Sequence, residues 1–175
     1  MLDVGRTLLF TGDGKGKTTA ALGMALRAAG HGMRVKIVQF IKSASTTGEL
    51  AALNKIDSVE CIQTGLGFVP GEGDPDFHLH RNAAGRGLLI AGEAIQSKAY
   101  DLVILDEICI AIAKKLIAED DVISVIRNVG RGLCLVLTGR DASDRLMDLA
   151  DTVTVMQCRK HAFQKNIPAQ KGVEY

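Results

Sequence analysis

The run Thr11-Gly12-Asp13-Gly14-Lys15-Gly16-Lys17-Thr18-Thr19 stands between two differently patterned segments. Before it, Thr7 to Thr11 is a short apolar run of β type. After it, Ala21, Leu22, Ala25, Leu26 and Ala29 recur at helical spacing until Gly30-His31-Gly32 ends the period. Strand, Gly-rich turn and helix in that order constrain the fold strongly, because the turn wraps backbone N–H groups around one point at the positive end of a helix. Such a cradle takes a phosphate. Lys17 adds charge to it, and the Thr18 hydroxyl can reach a divalent cation. The pattern G-x-x-x-x-G-K-T would place Gly at position 11, where this chain has Thr. A Gly-rich turn without a ligand is the plain alternative, and GKGKT directly after a strand weighs against it.

Further apolar, β-branched runs lie at Val35 to Ile41, Val59 to Gln63, Leu102 to Leu105, Leu133 to Thr138 and Thr152 to Met156. Continuous runs of this length predict strands buried on both faces. A long helix is predicted from Asp74, with Asp as N-cap, Pro75 in the first turn, and a core stripe of Phe77, Ala84, Leu88, Ala91 and Ile95. Val122 to Val129 and Ala142 to Ala150 give two shorter helices, the first broken by Gly130 and Gly132. This alternation predicts an α/β chain: a single P-loop NTPase-like (RecA-like) domain over residues 1–175, with a central, mainly parallel β-sheet flanked by helices. Leu66 to Gly73 and the tail from His161 read as loops.

At 175 residues, 47% hydrophobic and 23% charged, the chain has the length and composition of one domain with a core. A net charge of +1 argues against a strongly cationic surface for nucleic acid or membrane. No apolar run approaches the ~18 residues of a membrane span. Cys61, Cys109, Cys134 and Cys158 stand among apolar residues without a C-x-x-C pair, so they read as buried thiols. No basic, apolar leader opens the chain over Met1 to Arg6, and the cytoplasm is the expected compartment.

The run Leu102 to Leu105 ends in Asp106-Glu107. In a P-loop fold the first carboxylate holds magnesium, directly or through water, and the second acts on the metal or on a nucleophile. Without a phosphate loop, an acid that caps the next helix would be the better reading. With the loop, a metal role for at least one of the two is expected. Arg140, in Leu137-Thr138-Gly139-Arg140, either faces phosphate or pairs with Asp141 or Asp144. Lys42 and Glu49 flank a polar loop, Ser43 to Gly48, and either approach ligand or lie on a solvated surface. His78 and His80, two apart on a helix, point to different faces and read as solvated side chains.

Together these segments resemble one family, the P-loop type of ATP:corrinoid adenosyltransferase, which acts on cob(I)alamin or cob(I)yrinic acid a,c-diamide. The likeness runs through TGDGKGKTTAALGMALRAAGHG, VQFIK followed by Gly48-Glu49, TGLGF, VILDE, LTGR, DLADTVT and the terminal KHAF…QKGVEY, in the family's order and spacing. Thr11 at the head of the loop is itself the family's form. One departure is Pro70, where the best-known pattern carries Trp two residues after Phe68; the chain has no Trp. Phe77 could stand in, although its helical spacing assigns it to the core. Asp76-x-His78 is not a D-x-H-x-x-G corrinoid motif, because position 81 is Arg.

The resemblance implies attack of a Co(I) corrinoid on the 5′ carbon of ATP, with release of triphosphate. It implies that Gly12, Gly14, Lys15, Gly16, Lys17, Thr18 and Thr19 hold the phosphates, with Asp13 toward the nucleoside and Arg140 as a further phosphate contact. Thr18, Glu107 and Asp106 would hold Mg²⁺ or Mn²⁺, and Lys17, Thr18 and Glu107 form the implied catalytic set. Phe68 is the implied corrinoid contact, displacing the lower axial ligand so that four-coordinate Co(II) accepts an electron more readily. A homodimer and a reduced flavoprotein electron donor are implied as well. Two other classes fit the phosphate loop alone: a small-molecule kinase or ATPase, which would make ADP, and a nucleotide-gated corrinoid carrier, which would retain product without turnover.

Overall fold

Six strands, β1 (Arg6–Thr11), β2 (Val35–Gln39), β3 (Val59–Gln63), β4 (Leu102–Asp106), β5 (Cys134–Thr138) and β6 (Thr152–Val155), form one sheet in the order β3-β2-β4-β5-β1-β6. Every neighbouring pair is parallel. This computed structural model describes residues 5–43 and 48–173. Residues 1–4 of the Met1 to Arg6 segment, the middle of the polar loop at 44–47 and the last two residues of QKGVEY lie outside the described residues.

The helices are α1 (Lys17–Gly30), α2 (Gly48–Leu53), α3 (Phe77–Gln96), α4 (Ile108–Ala113), α5 (Glu119–Arg127) and α6 (Asp144–Leu149). Successive residues of a strand face opposite layers, so a strand covered on both sides is apolar throughout. On one face Phe10, Val35, Ile37, Ile104 and Val136 pack against Ala21, Ala25 and Ala28 of α1 and Leu53 of α2. On the other, Leu9, Val38, Val103, Leu105, Leu135 and Leu137 pack against Ala84, Ala91 and Ile95 of α3, Ile108 of α4, Val122 and Ile126 of α5, and Leu146 of α6. The central strands β2 and β4 are accordingly buried at every position.

The edges differ from the sequence expectation. All of β6 is exposed, and only Val59 of β3 is buried, because an edge strand has a neighbour on one side only and the helices cover the middle of the sheet. Helix α3 begins at Phe77 rather than Asp74. Asp74 instead caps the turn before it, its Oδ1 accepting the Asp76 N–H at 2.9 Å. Helices α2 and α4, six residues each, are too short to show a helical period. All four cysteines are free, with Cys109 buried and the others half-buried. Among the described residues, no helix is long and apolar enough to cross a membrane.

Because the sheet is parallel, the loops after β1, β2, β3, β4 and β5 leave from one edge. That edge is where ligands bind in open α/β sheets.

Candidate active site

The loop between β1 and α1 is shaped by its neighbour as well as by its own glycines. The end of β6 runs against it: the Gly14 N–H donates to the Met156 carbonyl at 2.8 Å, and the Met156 N–H donates to the Thr11 carbonyl at 2.8 Å. A Cβ on Gly12 would run into the Met156 carbonyl oxygen, and one on Gly14 would lie 2.8 Å from the same peptide. Gly12 also holds φ at +95° and Gly16 at +108°, in the left-handed region that favours glycine. Asp13 accepts the Cys158 N–H at 3.1 Å, and the exposed Lys15 reaches the Val173 carbonyl at 3.4 Å, so the segment after β6 lies along the loop.

Lys17 folds over this turn, its Nζ donating to the carbonyls of Gly12 at 2.7 Å and Gly14 at 2.6 Å. Burial and the nearby Arg140 charge hold its pKa below the ordinary lysine value, against the pull of Glu107 and Asp13. A bound polyphosphate would supply the missing negative charge. Thr19 lies exposed in the first turn of α1. The Thr18 hydroxyl donates to Asp106 Oδ1 at 2.8 Å, which joins the phosphate loop to the end of β4.

Asp106 is fully buried and carries three donors. Oδ1 also accepts from Thr138 at 2.8 Å, and Oδ2 accepts from Gln39 Nε2 at 2.9 Å. Glu107 follows in a left-handed conformation with φ +63°, where its backbone N–H donates to Thr138 Oγ1 at 2.8 Å. It sits at the N-cap of α4, where among the described residues its side chain makes no capping bond. Burial and the Asp106 charge push the Glu107 carboxyl above the usual range, while Lys42, Lys17 and Arg140 oppose that shift. The Thr18–Asp106 bond and the charges of Lys42, Lys17 and Arg140 felt by Glu107 put hard oxygen donors in the neighbourhood of the loop. Among the described residues no group of three or more His, Cys, Asp or Glu is arranged to hold a metal ion by itself. This donor set suits Mg²⁺, which takes one or two carboxylates and fills its shell with water and substrate phosphates.

Lys42 pairs with Glu49 at 2.6 Å. Burial disfavours its charge, but the bond to Glu49 and the charges of Asp106, Glu49 and Glu107 raise its pKa. Arg140 is exposed at the rim, and among the described residues it forms no ion pair with Asp141 or Asp144. Phe68 is 91% exposed on the loop after β3, which leaves from the same sheet edge. That loop is tied to the exit of β2 by N–H bonds from Thr64 and Gly65 to the Gln39 carbonyl and from Gly67 to the Ile41 carbonyl. Phe77 packs half-buried against the core, as its spacing predicts. His78 is exposed, its Nδ1 2.7 Å from the Pro75 carbonyl. Sequence reasoning missed Gln39, Gln63 and Thr138; the available signal was a polar residue at the last position of the strand.

Residues 3–175 match the family described as ATP:corrinoid adenosyltransferase BtuR/CobO/CobP. The chain belongs to this family. It is 38% identical over 172 residues to the corrinoid adenosyltransferase of Pseudomonas aeruginosa, covering 98% of this chain and 84% of that one. The corrinoid adenosyltransferases of Escherichia coli and Salmonella typhimurium are each 35% identical, over 98% of this chain and 86% of theirs. In fold, the chain is similar to a KaiC-like protein from Pyrococcus horikoshii, with a TM-score of 0.59 and 18% identity over 89% of this chain and 74% of that one. That likeness carries the architecture alone. The adenosyltransferase family adds what the fold does not, a substrate pair of ATP and a corrinoid.

Proposed function

We propose that the protein transfers the 5′-deoxyadenosyl group of ATP to the Co(I) centre of a reduced corrinoid, releasing triphosphate, in the synthesis or salvage of an adenosylated corrinoid. The observation that carries this reading is the family match from residue 3 to residue 175. The cobalt electron pair forms the Co–C5′ bond, the C5′–O5′ bond breaks, and its electrons leave on triphosphate; cobalt passes formally from Co(I) to Co(III). No proton has to move for this balance. The site is therefore asked for alignment and for charge neutralisation on the leaving group.

The backbone N–H groups of residues 12–19, apart from the Gly14 N–H already given to the Met156 carbonyl, and the start of α1 hold the triphosphate. Lys17 exchanges its two loop carbonyls for phosphate oxygens, and Arg140 meets the same charge from the rim. Thr18, Glu107 and Asp106 hold Mg²⁺, or Mn²⁺, which when bound supplies further positive charge to the leaving triphosphate. Asp106 serves through the Thr18 hydroxyl it already holds. Asp13 lies toward the nucleoside, and the exposed Phe68 ring meets the lower face of the corrinoid, where it excludes an axial ligand and favours reduction to Co(I). A homodimer, a reduced flavoprotein donor and a cytoplasmic location complete the reading. Identification of the phosphate product by ³¹P NMR tests it: triphosphate supports the transfer, and ADP would support a kinase or ATPase instead.

A further inference from the structure

Gln63, Gln39 and Asp106 are register partners across three adjacent strands, so their side chains form one row on the α1 face of the sheet. One step below, the corresponding positions are Cys61, Ile37 and Ile104. A row that only filled space would stay apolar here too, because burying amides beside a carboxylate costs free energy unless every group is paired. Gln39 is 1% exposed, its Nε2 donating to Asp106 Oδ2 at 2.9 Å and its Oε1 accepting from Gln63 Nε2 at 2.8 Å.

The polarity of this row has one source. An ionised carboxylate only accepts, so Gln39 must turn its NH₂ to Asp106 and its carbonyl away. Gln63 must then turn its own NH₂ to that carbonyl. Its Oε1, left over, is buried without a hydrogen-bond partner among the described residues. The carboxylate thus orders both amides, and the amides in turn fix its plane. With Oδ2 tied to Gln39, Oδ1 stays on the hydroxyls of Thr18 at 2.8 Å and Thr138 at 2.8 Å.

We propose that Gln39 is a positioning residue for the metal site: it locks Asp106 so that Oδ1 holds the Thr18 hydroxyl and turns its lone pairs to the cation, with Gln63 fixing the direction of the Gln39 amide. The proposal rests on the metal reading of Thr18, Asp106 and Glu107. Without the amide, Asp106 Oδ2 is a buried acceptor with no donor, and the carboxylate turns away from Thr18, with the nearby Lys42 charge as its alternative partner. Partners that orient metal ligands in this way are worth about 10- to 100-fold in metal affinity.

The test is Mn²⁺ binding to the protein–ATP complex, followed by electron paramagnetic resonance without any corrinoid, so that no turnover enters the readout. Gln39→Met keeps the length of the side chain and removes the donor. The expected result is a fall of about tenfold or more in Mn²⁺ affinity, with metal-free ATP binding in EDTA within about twofold of the parent. Gln63→Leu should weaken Mn²⁺ by a smaller factor, and should add nothing in the Gln39→Met background, because it acts through Gln39. A folded Gln39→Met protein that binds Mn²⁺ as the parent does overturns the proposal, as do effects that multiply fully in the double variant. If Gln39→Met does not fold, Gln63→Leu decides: Mn²⁺ affinity equal to the parent overturns it. A parent complex that holds no Mn²⁺ would refute the metal reading itself, and the proposal with it.

Discussion

Replacing Lys17 by Met removes the ammonium and keeps most of the stem. In the free protein that ammonium donates to Gly12 O at 2.7 Å and Gly14 O at 2.6 Å, both partly buried. Hydrogen bonds to a charged group contribute about 1.5–3 kcal/mol each, but water reaches these carbonyls once the lysine is gone, so the stability cost should stay near ~1 kcal/mol. The loss against ATP is larger. Burial and Arg140 already lower the Lys17 pKa, which makes its charge eager for an anion. Losing one charge-assisted phosphate contact in this half-buried loop should cost about 2–4 kcal/mol, or roughly 30- to 700-fold in affinity. As the C5′–O5′ bond breaks, negative charge grows on triphosphate, so kcat should fall together with affinity rather than remain level. Calorimetric titration of ATP and a turnover assay with preformed Co(I) measure the two parts separately. An affinity within about twofold of the parent together with an unchanged kcat would refute the assignment of the loop.

Three further outcomes follow from the same geometry. The Glu107 carboxyl, raised by burial and by Asp106, keeps its proton to a higher pH than an ordinary glutamate. Mn²⁺ affinity should therefore decline on acidification at a pH above the usual glutamate range, and without metal the fold should lose stability as pH rises through that raised value, since the folded state then holds more protons than the unfolded chain. Glu107→Gln should flatten both profiles, in metal titrations and in thermal melts; an unaltered pH profile would return this residue to a structural role. Gly14→Ala places a Cβ 2.8 Å from the Met156 backbone, which cannot turn aside as a side chain would, so a loss of about 1–3 kcal/mol in melting experiments and weaker ATP binding are expected. Wild-type melting and binding would show that the loop yields. Phe68→Ala, at a side chain 91% exposed, should leave stability within about 0.5 kcal/mol, slow turnover that starts from Co(II) and a reductant, and spare turnover from Co(I). An equal loss in both assays would make Phe68 a general binding contact.

The fold was legible because its signals are local. A strand run into a Gly-rich turn and a helix with Ala21 and Ala25 on its inner face needs no tertiary information, and the inner strands β2 and β4 are mainly apolar, apart from Lys36, Gln39 and Asp106, because both faces are covered. What the sequence concealed depends on distant partners. That β6 is exposed follows from its place at the sheet edge, which no residue of Thr152 to Val155 announces. Gly12 and Gly14 read as phosphate glycines, yet the Met156 backbone excludes a side chain at both positions. Asp106 and Glu107 stood out at the end of an apolar strand, whereas Gln39 and Thr138 gain their meaning only from strand order, which sets them on either side of Asp106. In the sequence Arg140 is equally placed for phosphate or for an ion pair with Asp141 or Asp144, and among the described residues that pair does not form.

Adenosyl transfer to a reduced corrinoid can be followed by mixing the protein with MgATP and chemically reduced cob(I)alamin under anaerobic conditions and recording the corrinoid spectrum. A light-sensitive Co–C product should form in step with one equivalent of triphosphate. No conversion of cob(I)alamin, and none of reduced cobinamide in a parallel run that covers the change at Pro70, would contradict it.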